Sequence, residues 1–316
     1  MYAEEPIGAV PDAVDIDTFS EHREVLFAIA YRMLGSVADA QDAVQDAWLR
    51  WASADHSAVR QPRAYLIRTI SRLCLDRLRS ATSRREVYLG PWLPEPLATD
   101  PDVADEVAQA ESVSMALLVV LETLSPLERA VFVLREAFDL PYGEIAEALG
   151  STEPAVRQLA RRARTHVAAR RPRYDSDPRV HRTVSERFLA ACTSGELTEL
   201  VDVLAPDVTL VADSGGVTPA PPRPLRSAQT VARFLLYGLR QSPDDVRLVP
   251  RTLNAGPGLV AFSGGVPLAT LVLDSDRGRI AAIYLVSNPG KLGAVAKPGA
   301  APDAAPGDST GDGLTA

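Results

Sequence analysis

The spacing of apolar residues changes along this chain near residue 179, and that change limits the folds it can adopt. Before it, apolar side chains recur with the three-and-four spacing of helices. After it, two short helical stretches at 180–193 and 196–204 precede strand-like runs with a helix near 227–240 among them. Those runs lie at 208–213, 246–250, 258–263, 267–274 and 279–287. Helices first and strands later predict all-α domains followed by a mostly antiparallel α+β domain.

The N-terminal part predicts a compact unit of three helices, at 18–34, 37–52 and 62–84. Gly35 ends the first helix and Ser36 can cap the second, as these residue types commonly do. Acidic side chains dominate the exposed face of the second helix, and arginines cover much of the third. The unit therefore has one acidic and one basic surface.

The basic third helix has aromatic residues nearby, with Tyr65 near its start and Trp51 just upstream. Arginines beside exposed aromatic rings suit single-stranded DNA, because unstacked bases bind the rings and the backbone binds the charge. The alternative is that Trp48 and Tyr65 belong to the core and that the arginines only solvate the surface.

A proline-rich segment at 88–101 separates the three helices from the next helical part and predicts an extended linker. Trp92 and Leu93 are apolar, whereas ordinary linkers are polar. We therefore expect this linker to dock onto another part of the protein.

Residues 142–164 have the pattern of a helix-turn-helix, after predicted helices at 103–123 and 126–138. Gly150 ends its first helix, and Thr152 can cap the second. The second helix carries side chains that contact bases or phosphates in the major groove, namely Arg157, Gln158, Arg161, Arg162 and Arg164. The alternative is a pair of helices with a solvated basic face.

The charge of the chain is unevenly distributed. The net charge is −8, yet 60–85 holds eight arginines and one acid, and 157–173 holds seven arginines and no acid. These two windows leave −22 for the rest, which includes an acidic stretch from Glu95 to Glu111. Two separate arginine clusters indicate binding to nucleic acid. Charge density falls after 179, where we expect no arginine stripe.

Several classes of protein are excluded by what the sequence lacks. It has no apolar run near 18 residues and no signal peptide, so we expect a cytoplasmic protein without a membrane span. Cys74 and Cys192 lie far apart, and four scattered histidines form no ligand spacing. No phosphate-binding glycine loop is present. We predict no cofactor, no metal site and no catalytic residues.

The order of these parts resembles the sigma-70 family of RNA polymerase sigma factors, of the extracytoplasmic-function (ECF) type. Residues 15–85 are similar to region 2, through DAQDAVQDAWLRW at 39–51 and PRAYLIRTISRLCLDRLR at 62–79. The later helices are similar to region 4, through LSPLERAVFVLRE at 124–136 and YGEIAEALG at 142–150.

The linker and the C-terminal part resemble the SigJ-like subgroup, in which a SnoaL-like (NTF2-like) domain follows region 4. The resemblance rests on WLPEP at 92–96 and NPGKL at 288–292. The subgroup tends to have Asp-Gly-Gly-Gly and then a basic residue, where this chain has Asp213, Ser214, Gly215, Gly216 and Val217.

The resemblance implies roles for residues in regions 2 and 4. The implied contact with core RNA polymerase, at the clamp helices of the β′ subunit, involves Asp39, Asp42, Gln45, Asp46, Trp48 and Leu49; region 4 meets the β flap. The implied contact with the −10 promoter element involves Arg60, Arg63, Tyr65, Arg68, Arg72, Arg77 and Arg79. The implied contact with the −35 element involves Thr152, Glu153, Arg157, Gln158, Arg161, Arg162 and Arg164.

The linker and the C-terminal extension are expected to regulate the protein in cis. The residues predicted to do so are Trp92, Leu93, Pro94, Glu95, Pro96, Asp213, Asn288, Pro289, Lys291 and Leu292. We expect the extension to contact region 2, region 4 or both.

The fold class expected is two all-α helical domains followed by an α+β NTF2-like cone. The expected boundaries are a disordered tail at 1–14, region 2 at 15–90, a linker at 91–112, region 4 at 113–173, the NTF2-like domain at 179–292 and a disordered tail at 293–316.

Two other functions stay open. NTF2-like cones include isomerases and cyclases, and Asp213, Tyr237 and Tyr284 could serve as an acid/base set or line a site for a small regulatory ligand. A plain helix-turn-helix repressor is the other alternative, although it leaves 15–85 and its split of acidic and basic surfaces unexplained.

Overall fold

The computed structural model of the chain describes residues 13–85, 88–99, 113–170 and 178–296. Within these ranges the helices come first and a single six-stranded sheet follows, as the spacing of apolar residues predicts. The acidic stretch from Asp100 onward, the end of the second arginine window at 171–173 and most of the predicted tails lie outside the described residues. None of the described helices is long and apolar enough to cross a membrane.

The first unit consists of the three predicted helices, α1 (Ala13–Leu34), α2 (Val37–Ala52) and α3 (Pro62–Arg85). Ser36 caps α2 as predicted, because its side chain accepts a hydrogen bond from the Asp39 backbone N–H. The apolar faces of the three helices pack together in one core.

Four helices form the second unit. They are α4 (Met115–Leu121), α5 (Pro126–Phe132), α6 (Tyr142–Leu149) and α7 (Glu153–Arg170). Ser125 and Glu128 form a capping box at the start of α5. The helix expected at 126–138 is α5 followed by a π-helical turn at Val133–Ala137, and the helix expected at 103–123 is seen only as α4 and its cap.

The two helical units share one hydrophobic core, which includes residues from α1, α3, α5, α6 and α7. A buried ion pair reinforces this junction. The Arg129 guanidinium donates to both carboxylate oxygens of Glu122, at 2.7 and 2.8 Å, and to the Met33 carbonyl at the end of α1, at 2.9 Å. The two predicted helical domains therefore pack against each other, and we call them together the helical half.

The C-terminal domain combines three helices with the sheet. The helices are α8 (Pro178–Ser194), α9 (Leu197–Val203) and α10 (Ala228–Arg240); the strands are β1 (Leu204–Asp213), β2 (Leu225–Arg226), β3 (Arg247–Leu253), β4 (Gly256–Ser263), β5 (Val266–Asp276) and β6 (Arg279–Val286). The sheet order is β2-β1-β6-β5-β4-β3, antiparallel except for the β1–β6 pair. The two-residue strand β2 was not predicted.

The sheet buries apolar side chains on both faces. On one face, Leu210 and Leu273 pack with Phe188 of α8 and with α9 and α10. On the other, Val260 and Val272 pack in a cluster that includes linker and α4 residues, among them Leu93 and Met115. The sheet thus seats the linker and the helical half on the side opposite its own helices.

The inner ends of both predicted tails adopt regular structure. Helix α1 begins at Ala13, inside the tail predicted at 1–14. At the other end, Gly293–Val295 forms a 3-10 turn, because the side chain of Val295 is buried against the sheet.

We expect Arg129→Met to lower the free energy of unfolding of the helical half by about 3–5 kcal/mol, since it leaves the buried Glu122 carboxylate without the guanidinium. Urea unfolding followed by circular dichroism measures the change. The control Arg79→Met removes an exposed arginine 3.7 Å from Asp76, and should change the value by less than about 1 kcal/mol. Equal effects of both substitutions would contradict a structural role for the pair.

Candidate DNA and polymerase interface with its docked linker

The acidic face of α2 lies at the surface. Asp39, Asp42 and Gln45 are exposed and Asp46 is half-buried, while Leu49 is an exposed large apolar side chain at 58%. Trp48 is partly buried edge-on against Phe19, with ring centroids 5.1 Å apart. This face offers carboxylates around an apolar residue, which suits a partner with basic and apolar side chains.

Helix α3 carries the predicted −10 arginines. Arg60, just before it, and Arg63, Arg72 and Arg79 are exposed, whereas Arg68 and Arg77 are partly buried. Arg77 donates to the Asp46 carboxylate at 2.6 Å, so the basic helix and the acidic helix are joined by an ion pair.

Two of these arginines contact the helix-turn-helix. Arg68 pairs with Glu147 of α6 at 2.9 Å, and Arg72 donates to the Ala148 carbonyl at 2.8 Å and to the Glu147 carbonyl at 3.2 Å. These contacts join residues more than 70 positions apart, and the sequence did not predict them. In this arrangement the two side chains bind protein where a sigma-like role would have them bind DNA.

The aromatic residues near α3 divide between core and surface. Trp51 is buried, with its ring 5.7 Å from Tyr65 and 4.3 Å from His56, so it is a core residue. Tyr65 is only partly buried, and the Arg68 guanidinium lies 5.6 Å from the centre of its ring. Of the two, only Tyr65 is accessible to an unstacked base.

Helix α7 presents the predicted −35 residues to solvent. The exposed ones are Thr152, Glu153, Arg157, Gln158, Arg161, Arg162 and Arg164. Tyr142 of α6 orients two of them: the Arg157 guanidinium lies 4.8 Å from its ring centre, and Arg164 donates to its hydroxyl at 2.9 Å. Acidic neighbours hold others, since Arg162 lies 3.2 Å from Glu128.

The linker is docked, as its apolar residues predicted. Leu93 and Leu97 are 1% and 6% exposed, and both prolines of the WLPEP run, Pro94 and Pro96, are buried. The docked segment runs from 88 to 99, and 100–112 lies outside the described residues.

Asp213, at the end of β1, holds the start of the linker. Its carboxylate is fully buried and accepts hydrogen bonds from the Tyr88 hydroxyl at 2.5 Å, the Leu93 N–H at 2.8 Å and the Gly215 N–H at 3.1 Å. The Lys291 ammonium completes the set at 2.7 Å. We call these residues the Asp213 clamp.

The side chains of Trp92 and Asn288 also belong to the Asp213 clamp. Lys291 also donates to the Leu93 carbonyl at 2.6 Å and lies 3.9 Å from the centre of the Trp92 ring. Asn288 donates to the Tyr88 hydroxyl at 2.9 Å. Burial and the adjacent carboxylate raise the pKa of Tyr88, so its hydroxyl stays protonated and donates.

A second set of hydrogen bonds fixes the middle of the linker to both halves of the protein. Asn254, at positive φ in the β3–β4 turn, pairs with Leu97 through its backbone and its side chain and donates to the Tyr31 hydroxyl at 2.6 Å. Tyr31 of α1 in turn donates to the Glu95 carbonyl at 2.7 Å. The linker thereby connects region 2 to the sheet.

Glu95 reaches the start of the acidic helix. Its carboxylate accepts hydrogen bonds from the Val37 N–H at 2.7 Å and from the Ser36 hydroxyl at 3.3 Å, at the N-terminus of α2. Burial raises the pKa of Glu95, and these hydrogen bonds oppose the rise. The linker is therefore in direct contact with the helix predicted to bind polymerase.

The three residues considered for acid/base catalysis do not converge. Asp213 belongs to the clamp, Tyr284 lies on the sheet face that packs against the linker, and Tyr237 is 64% exposed on α10. Among the described residues, no group of histidine, cysteine and acidic side chains is arranged to hold a metal ion. Cys74 and Cys192 are both buried free thiols.

Among the residues that hold the linker, Asp213, Lys291 and Asn288 were predicted only through the resemblance. Tyr88, Tyr31 and Asn254 were not predicted. The sequence could have indicated Tyr88, because it is an aromatic residue in the same linker segment as Trp92 and aromatic residues are unusual in a linker exposed to solvent. Asn254 precedes Ala255 and Gly256 in a turn, and its role is set by a partner 157 positions away, which no local pattern contains.

This chain is similar to known proteins of the sigma-70 family. The family model for Sigma-70 region 2 matches residues 18–84, and that for Sigma-70 region 4 matches residues 114–167. The chain is 41% identical to the ECF RNA polymerase sigma factor SigJ of Mycobacterium tuberculosis, over 88% of this chain and 93% of that protein. It is 36% identical to the probable ECF sigma factor SigI of the same species, over 86% and 92%.

The fold matches as well. The crystal structure of M. tuberculosis SigJ covers 90% of this chain and 99% of its own, with a TM-score of 0.72 and 36% sequence identity. The predicted family is confirmed, and so is the predicted fold class of helical sigma regions followed by an α+β domain.

We expect Asp213→Asn to release the linker, because a neutral amide cannot balance the Lys291 charge or accept all of these hydrogen bonds. Limited chymotrypsin digestion should cut between Tyr88 and Leu93 at least tenfold faster than in the wild type. The control Asp276→Asn, in the β5–β6 hairpin, should leave the rate unchanged. Unchanged cutting in Asp213→Asn would show that the clamp does not hold the linker.

Glu95 makes linker docking depend on pH. Its raised pKa means that the docked form binds a proton more tightly than the free linker, so docking loses stability as pH rises through that pKa. Glu95→Gln should therefore gain stability relative to the wild type as pH rises from about 4 to 7. Urea unfolding across this range measures the difference. Glu144→Gln, at an exposed site on α6, is the control and should give a flat difference.

Proposed function

This chain belongs to the ECF sigma factors of the sigma-70 family. We propose that it directs promoter-specific initiation, and that α2, α3 and α7 each bind a different target. The acidic face of α2 binds core RNA polymerase at the β′ clamp helices, with region 4 at the β flap. The segment from Arg60 to Arg79 binds the −10 element, and α7 reads the −35 element as duplex. The observation that carries this proposal is the solvent-facing row of arginine and glutamine side chains on α7.

We propose further that the described arrangement is the inactive form of the protein. Arg68 and Arg72 contact α6, and regions 2 and 4 share a core, so the −10 surface is partly covered by the −35 domain. Binding of both promoter elements requires these surfaces to separate. Binding to core polymerase supplies the free energy for that opening.

Through the docked linker, the C-terminal domain favours the closed arrangement of regions 2 and 4 over the open one. The Asp213 clamp and Asn254 hold the linker to the sheet, while Glu95 holds it to the N-terminus of α2. A linker fixed at both ends restrains region 2 in the closed arrangement. The extension is therefore an inhibitory element in cis.

A small-molecule ligand of the C-terminal domain stays a prediction. Between the sheet and helices α8 to α10, the described side chains form a cluster of buried apolar residues such as Phe188, Leu210 and Leu273. Any ligand seated there would be apolar. A thermal-shift screen on the full chain tests for it.

Transcription with core polymerase tests the proposed function. Promoter fragments are first selected from random-sequence DNA by the reconstituted holoenzyme and then transcribed. We expect initiation by the wild type, and about tenfold or greater loss in Arg157→Ala/Arg161→Ala, since each lost base or phosphate contact costs about 1–3 kcal/mol. Failure of the full chain and of chains ending after Arg173 or Leu292 to initiate at any fragment would overturn it.

The same assay tests the inhibitory role of the extension. At limiting core polymerase, Asp213→Asn should raise initiation several-fold, while Asp276→Asn should match the wild type. A chain ending after Ala296 should also match the wild type, whereas one ending after Leu292 loses the buried Val295 and should be more active. Lower activity in Asp213→Asn would show that the docked linker assists initiation.

A further inference from the structure

Helix α10 of the C-terminal domain carries an exposed basic stripe. Arg233, Tyr237 and Arg240 are spaced by four and then three residues, so they lie on one side of the helix. All three are exposed, Tyr237 at 64%. The opposite side is buried against the domain through Ala228, Val231, Ala232 and Leu235. We call Arg233, Tyr237 and Arg240 the α10 stripe.

The expectation that this domain lacks an arginine stripe is wrong. Residues 214–243 contain four arginines and no acid, and all four, Arg223, Arg226, Arg233 and Arg240, are exposed. Arg233 and Arg240 are seven positions apart, so the density of arginines along this part of the sequence is low. Seven residues make about two helical turns, which places both arginines on the same side of α10.

The α10 stripe lacks the acidic partners that other arginines have. Arg77, Arg157 and Arg162 each have a carboxylate within 4 Å, but no such pair to a described residue involves Arg233 or Arg240. Helix α10 packs mainly on α9, β1 and β2, on the sheet side opposite the linker. The helical half therefore does not cover the stripe.

From these observations we propose that the α10 stripe binds the phosphate backbone of duplex DNA outside the −10 and −35 elements. Guanidinium groups and a tyrosine hydroxyl are typical backbone ligands, which give affinity without reading sequence. The two arginines are about 10 Å apart along the helix, so they can contact different phosphates of one backbone. The proposal rests on the sigma function, which brings this domain close to promoter DNA.

The choice of DNA over an acidic protein follows from charge and shape. Residues 179–292 hold twelve basic and ten acidic residues, in a chain whose net charge is −8, so this domain is the less acidic part of the protein. Its positive side chains are concentrated at α10 and the segment before it. A duplex has about one negative charge per 1.7 Å of its axis and needs no specific pocket.

Salt dependence of DNA binding tests the proposal. The full chain with core polymerase is titrated onto a fluorescein-labelled 60-bp duplex of random sequence, on which backbone contacts dominate. Arg233→Gln/Arg240→Gln should lower the slope of log K against log salt by about 2 and weaken binding about tenfold at low salt. Arg182→Gln/Arg277→Gln removes the same charge from exposed sites elsewhere in the domain and should leave both values unchanged.

Two outcomes would overturn the proposal. One is an unchanged slope in Arg233→Gln/Arg240→Gln. The other is loss of co-purification with core polymerase, which would assign the stripe to a protein partner. Start-site choice on the selected promoters should not change, because the stripe reads no bases. Absence of any selected promoter with the wild type would instead overturn the proposed function, so the two failures are distinguishable.

Discussion

The buried ion pair between Asp213 and Lys291 is the interaction on which the arrangement of this protein depends. A fully buried carboxylate is very unfavourable unless its charge is balanced and its oxygens accept hydrogen bonds. Here the balance comes from Lys291 and the hydrogen bonds from Tyr88, Leu93 and Gly215. The charge can therefore stay buried only while the linker is in place, which makes the position of the linker specific.

The docked linker in turn contacts the elements whose surfaces we propose for recognition. Through Glu95 it contacts the N-terminus of the acidic helix, and through Tyr31 it contacts the core of region 2. The shared core and the Arg129–Glu122 pair then hold region 4 against region 2. Surfaces for polymerase and for DNA are thus linked by contacts within one molecule, and a change at the sheet can reach both.

The sequence predicted the features that depend on local pattern and missed those that depend on distant pairing. Helical spacing predicted the helices, and Ser36 predicted the start of α2. The apolar Trp92 and Leu93 predicted that the linker is docked. The contact of Arg72 with α6 and the role of Asn254 depend on partners 76 and 157 positions away, so no window of sequence contains them. Of the Asp213 clamp, Asp213, Asn288 and Lys291 were found only because the chain resembles a family in which motifs mark them, and Tyr88 was not found.

The order of the clamp residues along the chain also orders the events of synthesis. Lys291 closes on the Leu93 carbonyl across 198 positions, so regions 2 and 4 leave the ribosome well before the residues that lock the linker exist. Lys291 follows Arg170, the last residue of α7, by 121 residues, so at about 5–20 residues per second this interval is roughly 6–24 s. During that time the nascent chain has the complete helices that we propose bind promoter DNA, without the restraint of the docked linker. Each new molecule therefore begins with an unlocked linker, and the Asp213–Lys291 pair can form only after Lys291 has been made.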